Sequence, residues 1–495
     1  MQQGCIMKFL LLALLATTSV LANVPRLQDA PIEWLITRTI QSKINNEHHI
    51  KTNDKTVQNI LAAIDYNEQT DEITLRKNSQ AQRLKSELIS YLSTKQKTYL
   101  QTNKDYQNWL TESSSPIHTK LYKTKFKIKG HYYFNHVHTK ISQDNSSVDF
   151  LKISPTRTFN LVETFLKRRS YKGSLALCDH DTDKGFDEIN KLDQTYLSPL
   201  RSVEWGGKTH MALIGIKTNW DNLANGRKYS GEESIIQSRS SNGFRIINHP
   251  NKKTPPFPYT SWLDVDGVEV WNTSMESPPF TRLNIKYSNN KEAFKQWTDS
   301  LSKGHNYVAM AGSDFHFIIP CYTERTLIYP VNFIPAANKE ATKDYLQAGR
   351  SSFTTVPAAP NLTLQAKFIQ NKTWKHMGEN AKGAGFLSVR LYGDFSHTNK
   401  RLGGRCYNTI RRFSKLFTFW KKRKWEARFY NKKGDLIAKQ AFNPKWYNYK
   451  KHLKIEFQYP VSSNDLIRVE LWSINRKMKS IALLGATNPV YINRN

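Results

Sequence analysis

Cysteine is scarce in this chain of 495 residues: Cys5, Cys178, Cys321 and Cys406 are all it has. Cys5 precedes an N-terminal apolar run and does not sit where a lipid attachment would fall. Removal of that run leaves three cysteines, an odd number, which excludes complete pairing within the chain. Cys178 lies in an apolar stretch and reads as a core thiol, while Cys321 and Cys406 are a possible disulfide pair. Acidic residues are also few, 41 against 73 Lys and Arg, giving a formal charge of +32 and a pI near 9.8. That balance points to anionic surroundings or partners and says nothing about the fold. No run beyond the first 22 residues is long and apolar enough for a membrane span. Helix-turn-helix, zinc-finger and phosphate-loop patterns are missing, so sequence-specific reading of nucleic acid has no support.

What is present begins with a leader. Met7-Lys8, the apolar run Phe9 to Ala16, and Val20-Leu21-Ala22 form the three parts of a secretory signal peptide over 1–22. The chain is therefore expected to be exported, to the periplasm or the medium. Residues 23–125 read as a helical N-terminal region with no strand. Val57, Ile60, Leu61 and Ile64 recur at helical spacing, as do Leu84, Leu88, Ile89 and Leu92. Ser113 to Pro116 is the expected linker, and His48 and His49 belong to no recognisable arrangement.

The stretch Ala309 to Phe317, A-M-A-G-S-D-F-H-F, sets the pattern for residues 126–356. An apolar strand breaks at Gly312-Ser313 and presents Asp314 and His316, an oxygen and a nitrogen donor for a divalent ion. The same arrangement recurs upstream. His136 and His138 close one strand, with Asp144 in the loop that follows. His180 and Asp181 follow the strand Ser174 to Cys178, Glu204 ends another, His210 opens one, and His249 ends Phe244 to Asn248. Seven strands are expected, starting near residues 131, 174, 201, 211, 244, 266 and 307. Helices are expected between them, one capped at Ser154-Pro155 and one lined by Phe294, Trp297 and Leu301. Such alternation indicates a parallel sheet with helices outside, and chelating residues at the strand ends favour a barrel.

The ordered set H-V-H, D-H-D-T, E-W, T-H, N-H-P and G-S-D-F-H resembles the polymerase-and-histidinol-phosphatase (PHP) superfamily. More closely it is similar to the branch named for carbaryl-hydrolase-like metallohydrolases. The resemblance covers roughly 127–356, with further similarity at Thr326 to Tyr329, Ala348 to Arg350 and Ala486 to Tyr491. It implies an α/β fold, a distorted (β/α)7 barrel that binds two or three Mn, Fe or Zn ions and hydrolyses phosphoesters. Carried over by position, His136, His138 and Asp314 complete one ion's shell. Glu204 is the bridging acid, shared with an ion held by His210 and His249. Asp144, His180 and His316 serve the third. His180, His316 or Asp181 is the expected proton donor to the leaving group, and Lys208 and Arg157 are candidate phosphate contacts.

Residues 357–495 alternate as short strands, with Asn431 to Asp435 as a hairpin turn, and read as an all-β sandwich-like domain. Within it, 411–425 interleaves basic and aromatic residues, a pattern that suits a polyanion or an anionic membrane surface. Two other functions compete with phosphoester hydrolysis. One is cleavage of carboxylic or carbamate esters by the same ions, and the other is an exported anion-binding protein without catalysis.

Overall fold

The computed structural model describes residues 35, 39, 55–67, 72–75, 79–96, 117–126, 128–142, 152–206, 210–217, 220, 231–250, 265–272, 288–316, 323–335, 341–397, 423–447, 450–461, 464–475 and 480–494. The leader, His48, His49, the linker, Asp144, Lys208, Cys321, Cys406 and 411–422 lie outside them.

Two N-terminal helices, Lys55–Ala63 and Ser79–Gln96, bury Ile60, Ala63, Leu84 and Leu88. Between them an antiparallel pair forms, β1 (Ile64–Asn67) and β2 (Glu72–Leu75). The expectation of a strand-free region is thus corrected. Ile64, which continues the helical spacing, instead opens β1 opposite Leu75, with Tyr66 opposite Ile73, residue types that favour strands.

The central strands are β3 (Lys120–Thr124), β4 (Gly130–Val137), β5 (Lys172–Leu177), β6 (Leu197–Leu200), β7 (Ser202–Gly206), β8 (His210–Ile214), β9 (Phe244–Ile247), β10 (Gly267–Asn272), β11 (Val308–Gly312), β12 (Val331–Pro335) and β13 (Ser352–Thr354). Strands form at all seven expected positions. Helices Pro155–Lys167, Lys184–Ile189, Gly231–Ser240, Ser288–Ser302, Thr323–Ile328 and Thr342–Gln347 lie among them, so the fold is mixed α/β with several sheets. Ser154 caps the first of these helices by accepting a hydrogen bond from the Arg157 N–H at 3.3 Å, and Pro155 follows where its missing N–H costs nothing. The apolar stripe of that helix (Phe159, Val162, Phe165 and Leu166) is wholly buried. Each such side chain contributes about 1.5–3 kcal/mol.

The sheet is not uniformly parallel. The order β11-β10-β9-β8-β7 is parallel as far as β9, but β8 runs antiparallel to both neighbours, and only three residues of sequence separate it from β7. Hydrophobic alternation encodes which residues face inward, not which way a strand runs. This sheet meets the one containing β4 and β5 at two seams. At one, Ser313 N–H donates to Asn135 O at 3.2 Å and His138 N–H to Phe315 O at 2.8 Å. At the other, Asp181 N–H donates to Glu204 O at 2.9 Å and Glu204 N–H to Asp179 O at 3.2 Å.

The remaining strands are β14 (Asn361–Phe368), β15 (Lys375–His376), β16 (Asn380–Ala381), β17 (Gly385–Asp394), β18 (Arg423–Tyr430), β19 (Leu436–Phe442), β20 (His452–Val461), β21 (Asp465–Asn475), β22 (Ser480–Thr487) and β23 (Val490–Ile492). The β18–β19 hairpin turns at Asn431 to Asp435, with Gly434 at φ +83°. A five-stranded antiparallel sheet, β15-β14-β17-β20-β3, packs Leu364, Leu391 and Ile455 against Phe429, Val469 and Leu471 of β18 and β21. The arrangement is sandwich-like, but it is not set apart from the central strands. β22 pairs with β13, which continues through β12 to β4, while β3 crosses from before residue 126 to pair with β20. Asn488 fastens the two parts: its side chain accepts from Ala309 N at 2.7 Å and donates to Ser351 O at 3.0 Å.

Candidate metal centre

The strand ends facing the two seams gather nearly every residue expected to chelate. His136 and His138 come from the end of β4, His180 follows β5, and Glu204 lies on β7. His249 follows β9, and Asp314 and His316 follow β11. His210 is the first residue of β8 and pairs with Gly206. Because β8 is reversed, its start lies at the same level as its neighbours' ends. All but His316 are buried.

Glu204 stands at the centre. Its Oε1 lies 3.0 Å from His136 Nε2, 3.3 Å from His210 Nδ1 and 3.6 Å from His249 Nε2. Its Oε2 lies 3.1 Å from His180 Nδ1 and 3.3 Å from His138 Nε2. Asp314 Oδ1 forms a second focus, 3.3 Å from His136, 3.4 Å from His138 and 3.2 Å from His316 Nδ1. Four sets have mutually close donor atoms: His136–His249–Asp314, His136–His138–Glu204, His180–Glu204–His210 and His138–His180–His316. These sets overlap the grouping expected by position: Asp314 Oδ1 is close to both His136 and His138, and Glu204 Oε1 to both His210 and His249, while the His138 and His316 rings lie with centroids 4.1 Å apart. Asp144 lies outside the described residues.

Backbone distortion aims these groups. The β4–β5 register shifts between Phe134 and Val137, a bulge that contains His136. His136, Asp181, His249 and Asp314 have φ of +58°, +53°, +30° and +49°. Left-handed non-glycine residues cost on the order of 1–3 kcal/mol each and gather where function requires the side-chain direction.

Burial alone would depress His136, but Glu269, Glu204 and Asp314 hold it well above the usual imidazole range. Those carboxylates require a positive charge between them. Burial, and then the neighbouring His316, keeps His138 well below the ordinary value; burial does the same to His180. Burial would raise Glu204 and Asp314, yet His136 and the other imidazoles hold both well below the carboxylate range. His138 and His180 are thus kept neutral and Glu204 and Asp314 ionised, the states that metal binding needs, while the charge on His136 occupies the place between carboxylates that a metal ion would take.

Sequence reasoning missed the residues behind this set. Glu269, on β10, is buried; its Oε1 accepts from His136 Nδ1 at 2.8 Å and its Oε2 from His249 N–H at 2.9 Å. That contact fixes the His136 tautomer and leaves Nε2 as the donor toward Glu204 and Asp314. Gly312 makes room for it, since a Cβ there would sit 1.9 Å from Glu269 Oε1. Asn248 donates to Glu204 Oε1 at 2.6 Å and Asn272 to Asp314 Oδ2 at 3.2 Å. Asp179 accepts from Thr139 N–H at 2.5 Å and its hydroxyl at 2.9 Å, anchoring the turn after His138. A carboxylate two strands away inside an apolar run gave no signal in sequence, whereas Asn248 sat openly in N-H-P.

Asp181 Oδ1 accepts from Gly206 N–H at 3.1 Å beside His180, and it belongs to none of the four donor sets. Arg157 lies in the first turn of the helix Pro155–Lys167, where its N–H donates to the Ser154 cap. Cys178 is buried and its thiol is pushed up to about 12, chiefly by burial, which leaves it inert at neutral pH.

The donor atoms fit divalent metal. His138 Nε2 and Glu204 Oε2 are buried and make no hydrogen bond, which is costly unless a cation satisfies them. A mixture of imidazole and carboxylate suits Zn, Mn or Fe better than Ca or Mg, which favour oxygen alone. Buried clusters that can hold metal ions are therefore part of this fold. No protein-family model matches the chain, and none of the curated proteins compared with it matches either.

Proposed function

We propose that the chain is a multinuclear metal-dependent hydrolase of phosphoesters, of the PHP type and closest to its carbaryl-hydrolase-like branch. On this reading β4, β5 and β7 to β11 form the distorted seven-stranded barrel, and the leader directs export to the periplasm or medium. One observation carries the proposal: His136, His138, His180, Glu204, His210, His249, Asp314 and His316 converge on two carboxylates, with buried donor atoms facing inward.

Mn, Fe or Zn ions bound here would supply Lewis acidity and make hydroxide available near neutral pH. Glu204 presents its two oxygens to different imidazole sets and is the residue that two ions would share. Asp314 and Glu269 fix the charge and orientation of His136, and Asn248 keeps Glu204 from rotating. Asp181, which lies beside His180 and outside the four donor sets, is the proposed proton donor to the leaving oxygen, with His180 and His316 as the other candidates. Purified protein loaded with Mn or Zn is expected to hydrolyse aryl phosphates, phosphodiesters or nucleotides, and to prefer naphthyl phosphate to naphthyl acetate or carbamate. Inactivity toward every phosphoester with metal bound contradicts the proposal, and an acetate or carbamate preference replaces it with ester hydrolysis.

A further inference from the structure

The sheet β15-β14-β17-β20-β3 has one face on the sandwich core and another that carries cations and rings. Pleating sets the division. On β17, Leu387, Val389 and Leu391 are buried, while Phe386, Ser388, Arg390 and Tyr392 turn outward. Register extends the outward rows across the strands: Tyr392 lies opposite Thr363 and Lys454, and Lys454 opposite Tyr122. The next row aligns Gln365, Arg390, Glu456 and Lys120.

The cations are seated on the rings. The Arg390 guanidinium lies 3.7 Å from the Trp374 ring centre and 5.3 Å from that of Tyr392. The Lys367 ammonium lies 5.3 Å from Trp374, and that of Lys454 lies 5.5 Å from Tyr122. Charges held this way lose little further side-chain freedom when an anion arrives. On this face Lys120, Lys367, Arg390 and Lys454 stand against Glu456, which pairs with Lys454 at 2.7 Å and leaves a net positive face, in a chain of formal charge +32. Both ends of the face are apolar and open. Ile369 and Phe386 are 49% and 53% exposed at one end, and Tyr122 and Phe126 are 41% and 58% exposed at the other.

We propose that this face docks on an anionic lipid surface, with the seated cations on headgroup phosphates and the exposed apolar side chains at the acyl boundary. Three observations select that partner. Arg390 lies over the Trp374 ring, and the exposed rings of Tyr122, Phe126 and Phe386 stand at the two ends of the face instead of in one row on which successive bases would stack. Ile369 and Phe386 find no apolar counterpart on a hydrated polyanion. A second copy of the same face is repelled by like charge.

Flotation of the full-length chain with vesicles tests this. Binding is expected to phosphatidylglycerol–phosphatidylcholine vesicles, not to phosphatidylcholine alone, and to fade as salt is raised. Lys367→Glu with Arg390→Glu and Lys454→Glu should weaken partitioning roughly 100-fold at low salt. Arg390 is packed, so the pair Lys120→Glu and Phe386→Ser, both at exposed positions, provides a second reading if the triple variant melts early. Their expected loss is at least about tenfold. Absence of binding to anionic vesicles overturns the proposal, as does binding that both variants retain. Preferential capture of heparin or oligothymidine, unaffected by Phe386→Ser, identifies a soluble polyanion and also overturns it.

Discussion

In the sandwich, Leu391, Ile455 and Phe429 are completely buried and meet other apolar side chains. Around Glu204, His136 and His138 are just as deeply buried, yet the neighbours are imidazoles and carboxylates on a distorted backbone. The first interior is stable through area removed from water. The second contains charges and strain that burial opposes, and it becomes favourable only when something positive lies between Glu204, Glu269 and Asp314. The two interiors touch through β13–β22 and Asn488, so the apolar one is the support against which the polar one holds its shape.

That contrast is open to attack from both sides. Glu204→Gln has the largest expected effect. It removes the carboxylate shared between donor sets, so metal content collapses and phosphoester turnover falls by about 4 kcal/mol, roughly a thousandfold. Turnover within about tenfold of wild type, measured with aryl phosphate in excess Mn, breaks the account of the site.

Phe429→Ala acts on the other interior. It should cost about 3 kcal/mol of stability and lower the melting temperature, while metal per folded chain stays unchanged. Metal loss in the folded variant, read by elemental analysis below the melting transition, shows that the interiors are not separable in this way.

Glu269→Gln has a smaller expected effect. The amide keeps the shape but loses the charge that holds His136 Nδ1–H. Metal affinity should drop about 10–100-fold, as competition with a chelator measures, and excess metal should restore turnover. Unchanged affinity reduces Glu269 to packing.

Much of this was legible in the chain. The strand ends could be read because an apolar run that stops abruptly at His, Asp or Glu is poor core design, and imidazole is poor core filler. Strand direction could not be read: β8 carries the same apolar pattern either way, and only its ladder with β7 and β9 reveals the reversal. Glu269 was hidden because one carboxylate inside G-V-E-V-W-N looks like an outward strand position. Its inward aim becomes visible only with the register shift between β10 and β11 and the space at Gly312. The pairing of β3 with β20 joins residues more than three hundred positions apart, a choice that the sandwich core makes and local spacing does not.

If these side chains form one polynuclear centre, the number of ions per chain will show it. Elemental analysis of gently purified wild-type protein, alongside His316→Ala, should find about two or more divalent ions per chain. His316→Ala, which alters the most exposed member of the set, should lose only the outermost ion. A wild-type content below about one ion per chain that Mn, Fe and Zn all fail to restore contradicts the assembly of these residues into a single centre.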